Sequence, residues 1–322
     1  MVPAPVVEAL HGALKETFVL TRMNRRDFLK ASLAAGAALS LSTGIDPFLR
    51  DIGAAEAPDL AVASGKSPGT VTRAAIDALG GMRKFVSRGD IVVVKPNIGW
   101  DRTPEFAATT NPEVVAALVK LSLEAGAKKV KVLDNPVNDA RRCYRQSGIL
   151  AAAEATGAEV VYPDSRKFRD TKIGGGTIKS WPLYTEAIEA DRIINVPIAK
   201  THGTSTLTLG MKNWMGVMGG WRGRIHQRIH ESLVDVSLFL KPSLVVLDAV
   251  RILTGNGPQG GDLADVKRLD TVIAGADQVA VDAYGATLFG MKGADIGFIR
   301  LGHEAGLGTM DLAKVRLKKI QA

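Results

Sequence analysis

The chain has 322 residues, 46% of them hydrophobic, with 34 glycines, one cysteine and a formal net charge of +8. That apolar content excludes a disordered chain, and the glycines suit a globular protein with many strand-to-helix turns. The first 55 residues hold 6 Lys and Arg against 5 Asp and Glu, so the basic excess belongs to the remainder. With no signature of a nucleic-acid-binding module, that excess points to anionic small molecules, lipid headgroups or an acidic partner. The lone Cys143 excludes an intramolecular disulfide, an all-cysteine zinc site and a cysteine-ligated iron–sulfur cluster within one chain.

Asn24-Arg25-Arg26-Asp27-Phe28-Leu29-Lys30 stands directly before an apolar, small-residue run over 31–41. A basic region, a short hydrophobic stretch and then small residues read as a twin-arginine export signal. The run is too short, and too dotted with Ser32, Ser40, Ser42 and Thr43, to predict a permanent membrane anchor. Gly53-Ala54-Ala55 supplies small residues for cleavage, and Met23 is a candidate for the true start. Residues 1–55 therefore read as a signal region, with 1–22 upstream of that start, and 56–322 as a single α/β domain. The twin-arginine translocase is the expected partner. It carries folded proteins, so the domain is expected to work in the periplasm or at the cell exterior.

Along that domain, strand patterns alternate with helix patterns. Residues 59–63 form a short apolar strand, and 67–85 read as a helix with Pro68 in its first turn. The β-branched run at 91–94 marks a strand buried on both faces. Asn111-Pro112-Glu113 supplies an N-cap, an N1 proline and an early acid, and Gly126 stops the helix begun there. A strand at 129–133, a helix at 146–156 and a strand at 158–162 come next; Cys143 just ahead of that helix reads as a small, semi-buried side chain. Residues 170–181, with Gly174-Gly175-Gly176 in the middle, read as a hairpin or an excursion from the main sheet. Strands at 193–198, 244–247 and 271–274 and a helix at 278–288 complete the pattern. The expected fold class is α/β: a doubly wound, mostly parallel sheet with an inserted loop and helix region.

In such sheets ligands sit beyond the carboxyl ends of the strands. Those positions hold Lys95 and Asn97, then Asp134, then Lys200 and His202, and finally Asp248. Lys200, His202 and Lys212 surround a hydroxyl-rich loop (Thr204, Ser205, Thr206, Thr208), a natural cradle for phosphate or carboxylate. Lys95, Asn97, Lys200, Lys212 and Asn213 are the expected holders of an anionic ligand or cofactor. His202 and Asp248 are candidates for proton transfer, and Asp134 and Asp248 for the protein ligands of any divalent metal. Gly219-Gly220-Trp221-Arg222-Gly223-Arg224 reads as a mobile basic loop. His226 and His230, four apart and interleaved with Arg224 and Arg228, read as a solvated basic helix face. Residues 255–260 match G-x-G-x-x-G by letter but lack the strand-to-helix context of a dinucleotide site, and read as a loop near Asp248.

Six ordered motifs carry a resemblance. They are Val94-Lys95-Pro96-Asn97, Thr110-Asn111-Pro112-Glu113, the run from Asn195 to His202, Gly210-Met211-Lys212-Asn213-Trp214-Met215-Gly216, Gly255-Asn256-Gly257-Pro258 and Val281-Asp282-Ala283. From about Leu60 to its end the chain closely resembles the bacterial and archaeal domain-of-unknown-function family numbered 362. The family has no settled activity, so the resemblance implies a fold class more than a chemistry. Many relatives carry a ferredoxin-like cysteine run, which this chain lacks. Two function classes remain open. One is an enzyme or cofactor-dependent redox protein; the alternative is a non-catalytic protein that captures an anionic ligand or docks on a membrane redox complex.

Overall fold

Strand and helix alternate from β1 (Leu60–Ser64) and α1 (Pro68–Ala78) through β2 (Ile91–Pro96) and α2 (Pro112–Ala125) to β3 (Lys129–Leu133). Two short helices come next, α3 (Ala140–Gln146) and α4 (Ile149–Ala155), then β4 (Glu159–Val161) and the hairpin β5 (Phe168–Lys172) and β6 (Ser180–Tyr184). After α5 (Thr185–Ile188) come β7 (Arg192–Val196), β8 (Ile198–His202), β9 (Thr206–Thr208), α6 (Gly210–Asn213) and α7 (Ile229–Phe239). The chain closes with β10 (Leu244–Leu253), β11 (Val266–Gly275), α8 (Gln278–Thr287), α9 (Gly297–Glu304) and β12 (Leu317–Gln321). This computed structural model describes residues 57–322. The arginine pair, the cleavage site and the alternative start lie outside the described residues.

The sheet runs in the order β12-β1-β11-β10-β7-β2-β3-β4, with β8 and β9 branching from β10. The stretch β10-β7-β2-β3-β4 is parallel throughout. Only β11, antiparallel to both its neighbours, and the β8–β9 pair break that pattern. Consecutive strand residues face opposite sides, so continuous apolar runs feed two cores. Val93, Leu133, Ile193, Val245 and Ile273 pack with Leu233 of α7, Val279 of α8 and Phe298 of α9. Val92, Val94, Val132, Ile194 and Val246 pack with Val71 and Ile76 of α1 and Val115 and Leu118 of α2. The sheet is covered on both faces, as the doubly wound expectation requires.

Several boundaries differ from the sequence reading, each for a local reason. The first helix stops at Ala78, because Gly80 and Gly81 turn the chain with φ of 104° and 85°. The helix expected over 146–156 begins only at Ile149, where Gly148 with φ 72° parts it from a separate helix, α3, that ends at Gln146. The strand expected over 193–198 breaks at Pro197, whose missing N–H cannot serve the ladder, and resumes as β8. Lys200 and His202 therefore sit on a strand rather than a loop. Asp248 lies inside the long β10, not at its end. Cys143 is buried in α3, and burial pushes its thiol up to about 12, so it is an inert core side chain.

Candidate functional site

Beyond the carboxyl ends of β2 and β3, a cavity of about 430 Å³ collects side chains from six segments. Lys95 projects from β2 and Asn97 comes just after it; Asp134 lies just past β3; Lys200 and His202 come from β8. Lys212 and Asn213 come from α6, and Arg222 and His226 from a 3-10 segment over Arg222–Arg228. Pro258 adds an apolar contact from the loop before β11.

The floor is a buried ion pair held by amides. Lys95 is fully buried, with Nζ 2.7 Å from Asp134 Oδ1. The same ammonium donates to the Pro96 carbonyl and to Asn213 Oδ1, each at 2.9 Å. Asp134 Oδ2 accepts the Ile98 N–H at 2.6 Å. Asn213 joins two strands, β2 and β7: Oδ1 also accepts from Asn97 Nδ2 (3.1 Å), while Nδ2 donates to the Lys95 carbonyl (3.2 Å) and Asn195 Oδ1 (2.8 Å). Gly216 is the backbone that lets these groups meet. A Cβ there would lie 1.7 Å from Asp134 Oδ1 and 2.5 Å from Lys95 Nζ.

Above that floor, positive charge outweighs negative. Asp134 is the sole carboxylate of the lining among the described residues, and Lys95 already faces it. Lys200, 1% exposed, donates to the Ala108 carbonyl and to Asn97 Oδ1 at 3.2 Å. Lys212, 8% exposed, has one acceptor among the described residues, the Met215 thioether sulfur at 3.0 Å. Burial, then the neighbouring Lys212, pushes Lys200 down to about 7; burial, then Arg222 and Lys95, does the same to Lys212. Arg222 directs its guanidinium to the carbonyls of Asn135 and Pro136, each at 2.7 Å, tying its segment to the end of β3.

His202 Nδ1 accepts backbone N–H groups from Thr204 (3.1 Å) and Ser205 (3.4 Å). That arrangement leaves the ring proton on Nε2 of the neutral imidazole. Burial first, then Lys212 and His226, holds the ring down to about 3, so it stays neutral and offers a donor. His226 stacks on it with ring centroids 5.9 Å apart.

A family model described as "Domain of unknown function (DUF362)" matches residues 92–287. The chain belongs to that family. A twin-arginine signal-sequence model matches residues 22–42, so this DUF362 protein is exported across the membrane by the twin-arginine translocase. Thylakoid-associated protein sll1697 of a Synechocystis species is 33% identical over 220 residues, which cover 65% of this chain. The chain spans 66%, just under two thirds, of that relative's length. Among solved structures, the lactate racemase apoprotein of Thermoanaerobacterium thermosaccharolyticum aligns at a TM-score of 0.48 and 12% identity, covering 72% of this chain and 57% of that one. A Thermotoga maritima protein aligns at 0.38 and 12% identity, covering 75% and 60%.

In this DUF362 protein the structure brings Lys95, Asn97, Asp134, Lys200, His202, Lys212 and Asn213 to one cavity. It does not bring Asp248 there. Both Asp248 oxygens serve the backbone, accepting from Asn111 N (2.7 Å) and Val250 N (2.9 Å) and so tying the start of α2 to β10. Burial pushes that carboxyl up to about 6. Asp134 and Asp248 thus form no shared ligand set on the cavity wall. Among the described residues no group of three or more His, Cys, Asp or Glu side chains is placed to hold a metal ion.

The sequence reading missed Arg222 and His226. The paired glycines before Trp221 were the available signal: a Cβ on Gly219 would meet Phe168 at 2.5 Å, so the segment is packed back against the β5–β6 hairpin. His230 goes elsewhere, near the Phe298 ring with centroids 6.1 Å apart, because α7 starts only at Ile229.

Proposed function

We propose that this exported protein binds a small anionic ligand in the cavity, with Lys200, Lys212 and Arg222 supplying charge and His202 Nε2 a neutral donor. Lys212 carries the reading: a buried ammonium on the wall of an accessible cavity whose sole acceptor among the described residues is a thioether. Withdrawing clustered cations from water without counter-charge costs several kcal/mol. A phosphate or carboxylate in the cavity offsets that cost and accepts from all four groups. Lys95, Asn97 and Asn213 then act mainly as the rigid floor beneath it. Such a ligand is met outside the membrane or loaded before export.

The two amines near 7 set the pH dependence. The anion prefers them protonated, so affinity rises as pH falls through about 7 and levels off once both carry charge. Calorimetry and thermal-shift titrations of wild type with phosphate and with oxalate check this. Lys200→Met and Lys212→Met are each expected to weaken binding on the order of 30-fold, a loss of about 2 kcal/mol. Absence of any anion-dependent stabilisation of wild type, on either side of neutrality, would falsify the reading.

A further inference from the structure

We infer that Lys212 is an imine-forming nucleophile, and that the anionic ligand of this cavity is a small oxo acid whose carboxylate lies against Lys200 and Arg222 and whose carbonyl carbon meets Lys212 Nζ. The inference rests on the anion-binding reading of the cavity and adds a covalent step to it. The three buried lysines of the site differ in how their amines are engaged. Lys95 is fixed by Asp134, Asn213 and the Pro96 carbonyl. Lys200 is held by the Ala108 carbonyl and Asn97. Lys212 has the Met215 sulfur, a weak acceptor that costs little to leave. Its stem is anchored, because α6 begins where Asp282 accepts the Gly210 and Met211 N–H groups at 2.6 and 2.9 Å. The amine is thus buried, positioned and nearly unpartnered, beside cations that hold a carboxylate.

An amine attacks only as the free base. The burial and the flanking Arg222 and Lys95 that bring Lys212 down to about 7 leave a large share uncharged at neutral pH. The nitrogen lone pair adds to the carbonyl carbon, and the carbonyl π pair moves to oxygen. Both amine hydrogens then leave with that oxygen as water while the C=N bond forms. No oxidant or reductant is consumed. A carbonyl compound without the carboxylate reacts poorly, since Lys200 and Arg222 have nothing to hold.

The test is reductive trapping. Purified wild type is incubated with glyoxylate or pyruvate and sodium borohydride, whose hydride reduces the imine carbon to a stable secondary amine, and the adduct is located by peptide mass mapping. One adduct per chain is expected, on Lys212. With the oxo acid saturating on either side, so that the loss of charge on Lys200 does not limit occupancy, it should form faster above pH 7 than below it, opposite in sense to simple anion binding. Excess oxalate, an anion without a ketone or aldehyde carbon, should suppress trapping about tenfold or more by occupying the cations. Lys212→Arg should abolish it. If oxalate stabilises the protein but the adduct falls on Lys200, scatters over surface lysines or fails to form, the covalent step is wrong and the binding site stands. If no anion stabilises the protein, both fail.

Discussion

Gly216 shows how tightly the site is specified at the scale of one residue. Its missing side chain leaves the space that Asp134 Oδ1 and Lys95 Nζ occupy. Gly216→Ala is expected to part a buried ion pair and to cost about 3 kcal/mol or more. Gly69→Ala is expected to act in the opposite sense. Gly69 lies in α1 with open space around its Cβ position and no positive φ, so an alanine there should gain about 0.5 kcal/mol. Urea unfolding of the two variants checks both signs, and equal stability of Gly216→Ala and wild type would mean the pair has room that the geometry denies it. Two charged side chains of the cavity were legible because each comes directly after a run of buried apolar strand residues, where a solvated charge is out of place. Lys95 after Val92-Val93-Val94 and Asp134 after Leu133 are of that kind. Asp248 satisfied the same rule and misled. The strand continues past it through Ala249 and Val250, and its charge is absorbed by backbone N–H groups, one of them from the distant Asn111. A sequence shows where a carboxylate stands but not which distant amide reaches it.

Among the elements, α6 is four residues long and cannot hold its own shape, since helices of one turn are unstable in isolation. Asp282 on α8 supplies the missing partners, accepting two of its unpaired N–H groups, and so couples the last helical layer to the residues that carry Lys212 and Asn213. Burial pushes Asp282 up to about 7 from an ordinary 3.8. The folded state therefore holds a proton that the unfolded chain has released between those values. Its contribution to stability is fully present below the ordinary carboxylate value and is lost as pH rises through about 7. Asp248, pushed up to about 6, acts in the same sense. Asp282→Asn should accordingly show a shallower fall in unfolding free energy across that window, by roughly 1.4 kcal/mol per pH unit, one proton's worth. The slope due to Asp248 remains. Chemical denaturation at a series of pH values reads this directly, and parallel profiles for variant and wild type would show that Asp282 does not titrate there. The elements with regular periodicity, α2 with its Asn111 cap and Gly126 stop above all, could be read from the sequence. The 3-10 segment over Arg222–Arg228 could not. With three residues per turn and a helix boundary inside the interval, the four-residue spacing of His226 and His230 sends one ring to the cavity and the other to Phe298.

The whole molecule joins an export signal to a domain whose cavity lies beyond the carboxyl ends of β2 and β3. Alternating apolar runs made the two-faced sheet legible, since no other layer arrangement buries both sides of strands such as β2 and β7. The charged edge strand β12, Leu-Lys-Lys-Ile-Gln, carried no such pattern and went unread. Because the site draws on β2, β3, β8, α6 and the segment after it, it forms only when the sheet and both cores are complete. A translocase that carries folded chains is therefore matched to this cargo, whose cavity is complete only in the folded domain. The receptor for such signals distinguishes paired guanidinium groups, and lysine keeps the charge but loses the planar, forked donor set. Changing Arg25→Lys and Arg26→Lys together should leave the precursor in the cytoplasm, as read by immunoblot of cell fractions, with the extracytoplasmic pool depleted. The exported wild-type protein should begin near Glu56, as mapped by mass spectrometry. The retained precursor should still bind oxalate with wild-type affinity, because folding of residues 57–322 does not wait for export. Normal export of the double variant would separate the arginine pair from its assigned role. Loss of oxalate binding in a retained but soluble precursor would show instead that the site is completed only after crossing.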